Sequence, residues 1–300
     1  MTIGDWLEIY RQQLPEGEAL LLLSFTLHRE KTFLLAHPEH ILSREEQDIL
    51  HRCAERRKNH EPLAYITGEK EFFGLPFFVT PSTLIPRPET EILVEHVLDK
   101  IREQRTGNNE QGTKEISIID IGTGSGCIPI SIAKTLRSTH PDIFSYTKFI
   151  ATDISKAALA IAEKNAKRHT LDTNISFLES DLLSELPDTY LQSPSIIITG
   201  NLPYLSETIY RSSADDVRLY EPQSALQGDE NDGTTLIIAL LKQYIEKSIY
   251  PAIYFLILEI SPEQGTLLLS QGKVFFPQSK VTLLADLSGR NRFLIIQNHS

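Results

Sequence analysis

The stretch ISIIDIGTGSGCIPISIAKTLRS, residues 116–138, decides the fold class of this 300-residue chain. Its first part is mostly apolar and β-branched, which is typical of a strand buried on both faces. Its last part has apolar residues at helical spacing, and Gly122, Gly124 and Gly126 separate the two patterns. Glycines at such a place allow a sharp turn and a close approach of a ligand to the backbone. The stretch therefore predicts a strand and a helix joined by a ligand-binding loop.

Strand and helix patterns continue to alternate after this unit. Further buried strands are predicted in KFIATDIS (148–155), ISFLESD (175–181), PSIIITGN (194–201) and AIYFLILEI (252–260). The segment KVTLLADLSGRNRFLIIQ, residues 280–297, predicts a closing antiparallel hairpin. This alternation indicates the α/β class, with a doubly wound, Rossmann-like sheet of seven strands.

The regions before this sheet differ in character. Residues 1–62 carry apolar positions at helical spacing, with Ser43 as a predicted N-cap, and they predict a small helical domain. Residues 63–86 are rich in aromatic and β-branched residues with glycine turn points, and they predict a β-hairpin linker. Residues 87–300 then form the predicted large domain.

Composition limits the possible functions. The net charge is −11, which argues against a general nucleic-acid binder. Two separate cysteines, Cys53 and Cys127, are too few for a disulfide framework or a zinc cage, so we expect no metal. The N-terminus lacks a basic start followed by an apolar core, and the apolar runs are too short to span a bilayer. We therefore expect a cytoplasmic protein without a membrane partner.

The glycine loop favours one cofactor over another. A dinucleotide fingerprint would require glycine at position 127, where this chain has Cys127. That departure, with Asp120 directly before the loop, favours an S-adenosylmethionine pocket. The predicted cofactor-binding residues are Gly122, Thr123, Gly124, Ser125, Gly126, Asp153, Asp181, Leu182 and Asn201.

The carboxyl ends of the next two strands supply the acidic members of this set. Asp153 is placed to accept hydrogen bonds from ribose hydroxyls, and its alternative role is an N-cap for the helix that follows. Asp181 would bond the adenine amino group, and Leu182 would pack on the adenine face. Ligands of open α/β sheets bind at this edge, so we expect these residues to lie together.

The tetrapeptide Asn201-Leu202-Pro203-Tyr204 follows another predicted strand of the same sheet. It resembles the (N/D)PPY signature of methyltransferases that act on planar nitrogen: adenine N6, cytosine N4 and glutamine amides. The Asn201 side-chain oxygen and the Leu202 carbonyl would accept both N–H hydrogens of the substrate, Pro203 would hold the loop rigid, and Tyr204 would stack on the planar group. Leucine stands where the signature usually has proline, but a backbone carbonyl is kept. The alternative is a simple turn.

Several segments together resemble the HemK/PrmC family of release-factor glutamine N5-methyltransferases. They are EPLAYITGEKEFFGLPFFVTPSTLIPRPETEILVE (61–95), IIDIGTGSGCIPISIA (118–133), NLPY (201–204), YEPQSALQGDENDG (220–233), LEI (258–260) with Gln264 and Gly265 after it, and DLSGRNR (286–292). The resemblance implies methyl transfer from S-adenosylmethionine to the glutamine of the Gly-Gly-Gln motif in peptide-chain release factors. It also implies that the N-terminal helical domain recognises the release factor.

Two other functions share features with this sequence. A DNA adenine N6-methyltransferase shares the tetrapeptide but must flip a base and grip a duplex, which the charge of −11 disfavours. A non-catalytic interaction protein on the same fold is favoured only by the leucine at position 202. We expect a monomer that methylates a release factor and does not bind nucleic acid directly.

Overall fold

This computed structural model describes residues 1–15, 17–106, 115–191, 193–247 and 253–298. The helices are α1 (Ile3–Tyr10), α2 (Glu18–Leu27), α3 (Lys31–Ala36), α4 (Arg44–Lys58), α5 (Leu63–Thr67), α6 (Glu91–Thr106), α7 (Cys127–Thr139), α8 (Pro141–Ser145), α9 (Lys156–Arg168), α10 (Asp188–Leu191), α11 (Glu207–Ser212), α12 (Asp215–Tyr220), α13 (Thr235–Glu246) and α14 (Gly265–Phe275). The strands are β1 (Glu69–Phe72), β2 (Leu75–Phe78), β3 (Ile116–Ile121), β4 (Thr147–Asp153), β5 (Ile175–Glu179), β6 (Ser195–Gly200), β7 (Leu205–Ser206), β8 (Gln227–Asp229), β9 (Ile253–Glu259), β10 (Ser279–Ala285) and β11 (Asn291–Asn298). Short 3-10 turns cover Pro88–Thr90, Gln223–Ala225 and Pro262–Gln264.

The chain divides into two compact units. The smaller consists of Met1–Glu69 and Ala214–Tyr220, and the larger consists of Lys70–Ser213 and Glu221–Ser300. Within the smaller unit an apolar core forms around the fully buried Trp6, with side chains from α1, α2, α3, α4 and α5. This unit thus buries the apolar helix faces that the sequence pattern predicts.

Helix α4 begins as its sequence predicts. Ser43 Oγ accepts a hydrogen bond from the Glu46 backbone N–H, and Glu46 Oε2 accepts one from the Ser43 N–H, at 3.2 and 2.7 Å. This reciprocal capping box satisfies two backbone donors that the first turn of a helix leaves free. The prediction of Ser43 as the N-cap is confirmed.

The larger unit contains a seven-stranded sheet with the order β10-β11-β9-β6-β3-β4-β5. Strands β9, β6, β3, β4 and β5 are parallel, whereas β11 runs antiparallel to both of its neighbours, β9 and β10. Every residue of β3 is buried, and Ile118 and Ile119 point into apolar clusters on opposite faces. The predicted α/β class with a seven-stranded sheet is confirmed.

The register of the central strands assembles one ligand-binding edge. Ile121, the last residue of β3, pairs with Thr152 on β4 and with Gly200 on β6. The glycine loop after β3 therefore lies between Asp153 and Asn201, which follow these partners. The chain leaves β3 towards β4 and later returns on the other side at β6, and such a reversal of strand order is where open α/β sheets bind ligands.

None of the described helices is long and apolar enough to cross a membrane. Among the described residues, no group of three or more histidine, cysteine, aspartate or glutamate side chains could hold a metal ion.

Candidate active site

A cavity of about 400 Å³ lies at the carboxyl ends of β3, β4 and β6, within the size range of small-molecule sites. The predicted residues that line it are Gly122, Thr123, Gly124, Ser125, Asp153, Asp181, Leu182, Asn201, Leu202 and Pro203. Gly126 and Tyr204, which are also predicted site residues, lie outside this lining. The structure therefore brings ten of the twelve predicted residues to one cavity.

The glycine loop is held in a tight turn by backbone hydrogen bonds, one to β4 and one within the loop. The Thr123 N–H donates to the Thr152 carbonyl at 2.8 Å, and the Gly126 N–H donates to the Thr123 carbonyl at 2.9 Å. Gly124 has φ +55°, and a Cβ built on it meets no other protein atom within 4 Å. A Cβ on Gly126 would lie 3.1 Å from Ala162 Cβ of α9. Gly124 thus leaves room for a ligand, whereas Gly126 allows close helix packing.

Asn165 on α9 ties this loop to strand β2. Its Oδ1 accepts from the Phe78 N–H at 2.7 Å, and its Nδ2 donates to the carbonyls of Phe78 and Ser125 at 3.0 and 2.9 Å. The side chain is fully buried, so these bonds satisfy groups that would be costly to leave unpaired. One amide therefore fixes the glycine loop and the strand together.

Asp153 is held by two backbone amides. Its Oδ2 accepts from Gly124 N at 2.8 Å, and its Oδ1 accepts from Ser155 N at 2.9 Å. The N-cap of α9 is Ser155, whose Oγ accepts from Ala158 N, so the alternative N-cap role does not belong to Asp153. Burial raises the pKa of Asp153, and the backbone hydrogen bonds oppose that rise.

Leu182 stands in a backbone conformation that leucine rarely adopts, with φ +56°. Its carbonyl accepts hydrogen bonds from Ser180 Oγ at 3.0 Å and from Thr152 Oγ1 at 3.4 Å. Asp181, the exposed residue before it, lines the cavity beside it. A strained residue that its surroundings hold in place is common at ligand-binding sites.

A chain of hydrogen bonds connects Asn201 with Tyr204 through two buried residues. Asn201 Nδ2 donates to Thr90 Oγ1 at 3.2 Å, and the Thr90 hydroxyl donates to Glu259 Oε2 at 2.6 Å. The other oxygen of Glu259, Oε1, accepts from the Tyr204 hydroxyl at 3.0 Å. Burial raises the pKa of Glu259, and burial followed by the nearby Glu259 charge raises the pKa of Tyr204. The phenol therefore stays protonated and acts as a donor.

Hydrogen bonds from outside the tetrapeptide hold its backbone in place. Gln264 is buried, and its Nε2 donates to the Tyr204 carbonyl at 2.8 Å and to the Asp232 carbonyl at 2.6 Å. The Leu205 N–H donates to the Leu226 carbonyl at 2.9 Å, where β7 pairs with β8. These hydrogen bonds thus tie the tetrapeptide and the residue after it to residues 226–233.

An ion pair stands in the wall of the cavity. Arg87 lines the cavity, and its Nη2 lies 2.5 Å from Oε1 of Glu221, whose side chain is almost fully buried. Glu221 Oε2 also accepts from the Ile85 N–H at 3.0 Å. These two bonds fix the loop before the Pro88–Thr90 turn, which carries Thr90.

The sequence analysis assigned no role at this site to five side chains: Thr90, Asn165, Glu221, Glu259 and Gln264. All of them except Asn165 belong to the segments and residues that carry the family resemblance. Glu259 offered the clearest signal, because it ends an apolar strand at the same sheet edge as Asp153 and Asn201.

These residues fit S-adenosylmethionine. The open space at Gly124 admits a ligand against the loop backbone. The Gly124 and Ser155 amides occupy only part of the acceptor capacity of the Asp153 carboxylate, so it keeps lone pairs for ribose hydroxyls. Leu182 and Leu202 are buried apolar residues in the lining and suit an adenine face.

Family models match both regions of the chain. The PrmC N-terminal domain matches residues 8–68, and a methyltransferase domain matches residues 112–244. Among solved structures, the catalytic domain of human METTL16 in complex with an RNA hairpin of the MAT2A 3′UTR has a TM-score of 0.52 at 18% identity, covering 86% of this chain and 83% of that chain. The N-terminal domain of human METTL16 in complex with SAH has a TM-score of 0.50 at 16% identity, covering 85% and 83%. At these identities the likeness concerns the fold alone.

Curated relatives are closer in sequence. The release factor glutamine methyltransferase of Nitratidesulfovibrio vulgaris (strain Hildenborough) is 33% identical, over 98% of this chain and 92% of that protein. Those of Escherichia coli (strain K12) and Bacillus subtilis (strain 168) are 34% and 33% identical, covering 88% and 95% of this chain and 88% and 92% of the relatives. This identity extends across both regions that the family models match, and the chain belongs to the release factor glutamine methyltransferase family.

Proposed function

We propose that this protein transfers the methyl group of S-adenosylmethionine to the side-chain amide nitrogen of the glutamine in the Gly-Gly-Gln motif of peptide-chain release factors. One observation supports this beyond family membership. The tetrapeptide Asn201-Leu202-Pro203-Tyr204 follows β6, and its first three residues line a cavity beside the glycine loop. A planar amide and a methyl donor would thus meet at one sheet edge.

An amide nitrogen is a poor nucleophile because its lone pair is delocalised into the carbonyl group. Acceptors for both of its hydrogens hold it in one orientation and stabilise the charge that develops during transfer. We assign these roles to Asn201 Oδ1 and to the Leu202 carbonyl, with Pro203 as the rigid element and Tyr204 as the stacking partner. S-adenosylmethionine, when bound, supplies an electrophilic sulfonium methyl group.

The cavity lining supports the cofactor assignments except that of Gly126, which lies outside the lining. We assign the backbone of residues 122–126 to close contact with the cofactor, Asp153 to its ribose hydroxyls, and Asp181 with Leu182 to its adenine. Asn201 borders both parts of the site. Cys127 also lines the cavity, but burial raises the pKa of its thiol to about 12, so it is not a nucleophile at neutral pH.

The alternatives are less well supported. A DNA adenine N6-methyltransferase must hold a negatively charged duplex, whereas this chain carries a net charge of −11. A non-catalytic protein would need no acceptor pair beside the cofactor loop. Family membership and the intact Asn201 both favour glutamine as the substrate.

The direct test is methyl transfer to a purified release factor. The protein is incubated with S-adenosylmethionine labelled in its methyl group, and the Gly-Gly-Gln peptide is analysed by mass spectrometry. We expect one added methyl group on the glutamine, and none when alanine replaces that glutamine in the release factor. Label on duplex DNA instead would favour the adenine alternative, and label on neither substrate would favour the non-catalytic one.

Asn201→Ala tests the catalytic assignment in the same assay. Loss of one preorganised transition-state contact lowers the rate about 10²- to 10³-fold, while cofactor affinity stays close to that of the wild type. Asn201→Asp keeps an acceptor oxygen and should retain part of the activity. Near-normal turnover of a folded Asn201→Ala variant would remove the amide-binding role.

Three further assignments accompany the proposal. The segments 1–62, 63–86 and 87–300 are proposed as a release-factor-recognition domain, a hairpin linker and a methyltransferase domain. The protein would work in the cytoplasm, where its proposed substrates act on ribosomes, and it would do so as a monomer. Limited proteolysis tests the domain limits, and light scattering tests the monomer.

A further inference from the structure

We propose that Thr90 and Glu259 are positioning residues that orient the Asn201 side-chain amide, so that its oxygen and not its NH₂ group faces the substrate. This inference rests on the proposed function, because it concerns the acceptor that a glutamine amide would meet. It assigns a role to two buried side chains that lie 169 positions apart in sequence and meet beside the cavity.

The orientation of the Asn201 amide follows because a threonine hydroxyl has only one hydrogen. A hydroxyl has one hydrogen to donate, and Thr90 gives it to Glu259 Oε2 at 2.6 Å. Towards Asn201 the same oxygen can therefore only accept. The part of Asn201 that lies 3.2 Å from Thr90 must then be the donor, Nδ2. Its Oδ1 is left as the acceptor that the substrate can use.

Glu259 fixes the direction of this chain of hydrogen bonds because both of its carboxylate oxygens act as acceptors. Its carboxylate oxygens accept from Thr90 and from the Tyr204 hydroxyl, and it is 1% exposed. Burial raises the pKa of Glu259, whereas the hydrogen bonds from Thr90 and Tyr204 and the nearby Arg292 favour its charged form. Because a charged carboxylate is a strong acceptor, the Thr90 hydroxyl donates its hydrogen to Glu259 and not to Asn201.

The opposite orientation would be unproductive. If Thr90 donated to Asn201 Oδ1, the Asn201 NH₂ group would face the substrate NH₂ group, donor against donor. The site would lose one of its two acceptors, and the two sets of hydrogens would repel each other. The effect would resemble the loss of a preorganised transition-state contact, about 10²- to 10³-fold in rate.

The test compares Thr90→Val with Thr90→Ser. Valine has nearly the same shape as threonine but no hydroxyl, whereas serine keeps the hydroxyl. We expect kcat to fall at least about tenfold in Thr90→Val, approaching the effect of Asn201→Ala, and to recover in Thr90→Ser. Cofactor affinity, measured by calorimetry, should change little in both variants. Equal loss of kcat in both variants would overturn the proposal.

A double-mutant cycle separates positioning from general structural damage. In an Asn201→Ala background, Thr90→Val should lower kcat no further, because its effect acts through Asn201. Thr199→Val is the matched control, since Thr199 donates to another buried carboxylate of the same sheet, Asp120, at 2.7 Å. Its effect should add to that of Asn201→Ala. Additive behaviour of Thr90→Val would contradict the inference.

A spectroscopic measurement works even if a release factor is not the substrate. With ¹⁵N-labelled asparagine, the Asn201 side-chain amide is assigned as the resonance lost in Asn201→Ala. We expect slowed hydrogen exchange at this amide in the wild type and Thr90→Ser, and faster exchange in Thr90→Val and Glu259→Gln. Unchanged exchange in these last two would overturn the inference, whereas failure of methyl transfer by the wild type would count only against the proposed function. Glu259→Gln also serves if Thr90→Val does not fold.

Discussion

The carbonyl oxygen of Tyr204 lies 2.0 Å from the point that a Cβ atom would occupy on Gly233. No non-bonded carbon and oxygen pair tolerates that distance, so the tetrapeptide and the segment before α13 can approach only with glycine at position 233. The segment also contributes Gly228, whose Cβ would lie 2.6 Å from the Pro203 carbonyl. The backbone shape of the candidate active site therefore depends on residues outside its lining.

Gly233→Ala should lower both stability and turnover. The added methyl group must push the Tyr204 carbonyl away, and overpacking of this kind costs about 1–3 kcal/mol beyond the strain of positive φ. Gly289→Ala is the matched control, because Gly289 has a similar φ of +78° with nothing within 4 Å of its Cβ. Gly233→Ala should therefore be less stable in unfolding curves, and slower in methyl transfer, than Gly289→Ala. Equal behaviour would show that the loop moves aside freely.

Asp153→Ala should weaken cofactor binding. A hydrogen bond to a charged group contributes about 1.5–3 kcal/mol, so the dissociation constant should rise between about 10- and 150-fold in calorimetry. The control is Ser43→Ala, which removes the N-cap of α4 outside the cavity lining and should cost about 1 kcal/mol of stability without a comparable loss of affinity. An unchanged affinity in a folded Asp153→Ala variant would exclude the ribose role.

Leu202→Pro should keep transfer activity and lose stability. Proline keeps the backbone carbonyl and restores the usual residue of the signature. The leucine side chain, however, is 3% exposed, and its Cδ2 would lie 3.1 Å from a Cβ on Gly122. Removing this buried packing should cost about 1–3 kcal/mol in denaturant unfolding. A stable but inactive Leu202→Pro variant would show that the leucine side chain itself has a functional role.

Asp120 should make stability depend on pH. Burial raises its pKa to about 7, although the Thr199 hydroxyl, which donates to Asp120 Oδ1 at 2.7 Å, opposes the rise. Between about pH 4 and pH 7 the folded protein therefore holds a proton that the unfolded chain releases, so this group's contribution to the unfolding free energy falls as pH rises.

Asp120→Asn removes that titration. Relative to the wild type, the variant should gain stability as pH rises from about 5 to 8, as measured by denaturant titration at each pH. Asp286→Asn is the control, because a hydrogen bond from the Arg290 backbone lowers the pKa of Asp286 and its titration lies below this range. A stability difference for Asp120→Asn that does not change with pH would mean that this carboxyl is already charged when buried.

The parts of the site that could be predicted are local in sequence. Gly122, Gly124 and Gly126 stand between a strand and a helix, and that order alone indicates a loop close to a ligand. Asp153 and Asn201 follow apolar strands, and the rule that parallel strands end at one edge brings them together. No knowledge of the strand order was required for either step.

The other features of the site depend on contacts and backbone conformations that no periodic pattern in the sequence predicts. Thr90 and Glu259 meet because the turn before α6 and the end of β9 lie at the same place, and their hydrogen bond spans most of the chain. The left-handed conformation of Leu182 is equally hidden, because leucine carries no preference for positive φ. Tyr204 also bonds to Glu259, a partner that the tetrapeptide alone does not reveal.

The hydrogen bonds of Asn165 constrain the residue at position 165 but not the side chains of its partners. Its three hydrogen bonds all end on backbone groups of Phe78 and Ser125, and every residue except proline offers the same amide N–H and carbonyl. Strand β2 and the glycine loop can therefore exchange side chains during evolution without breaking the bridge, whereas position 165 itself has almost no substitute of equal length and bonding. In grafts between relatives, α9 and the loop should accordingly be transferred as one piece.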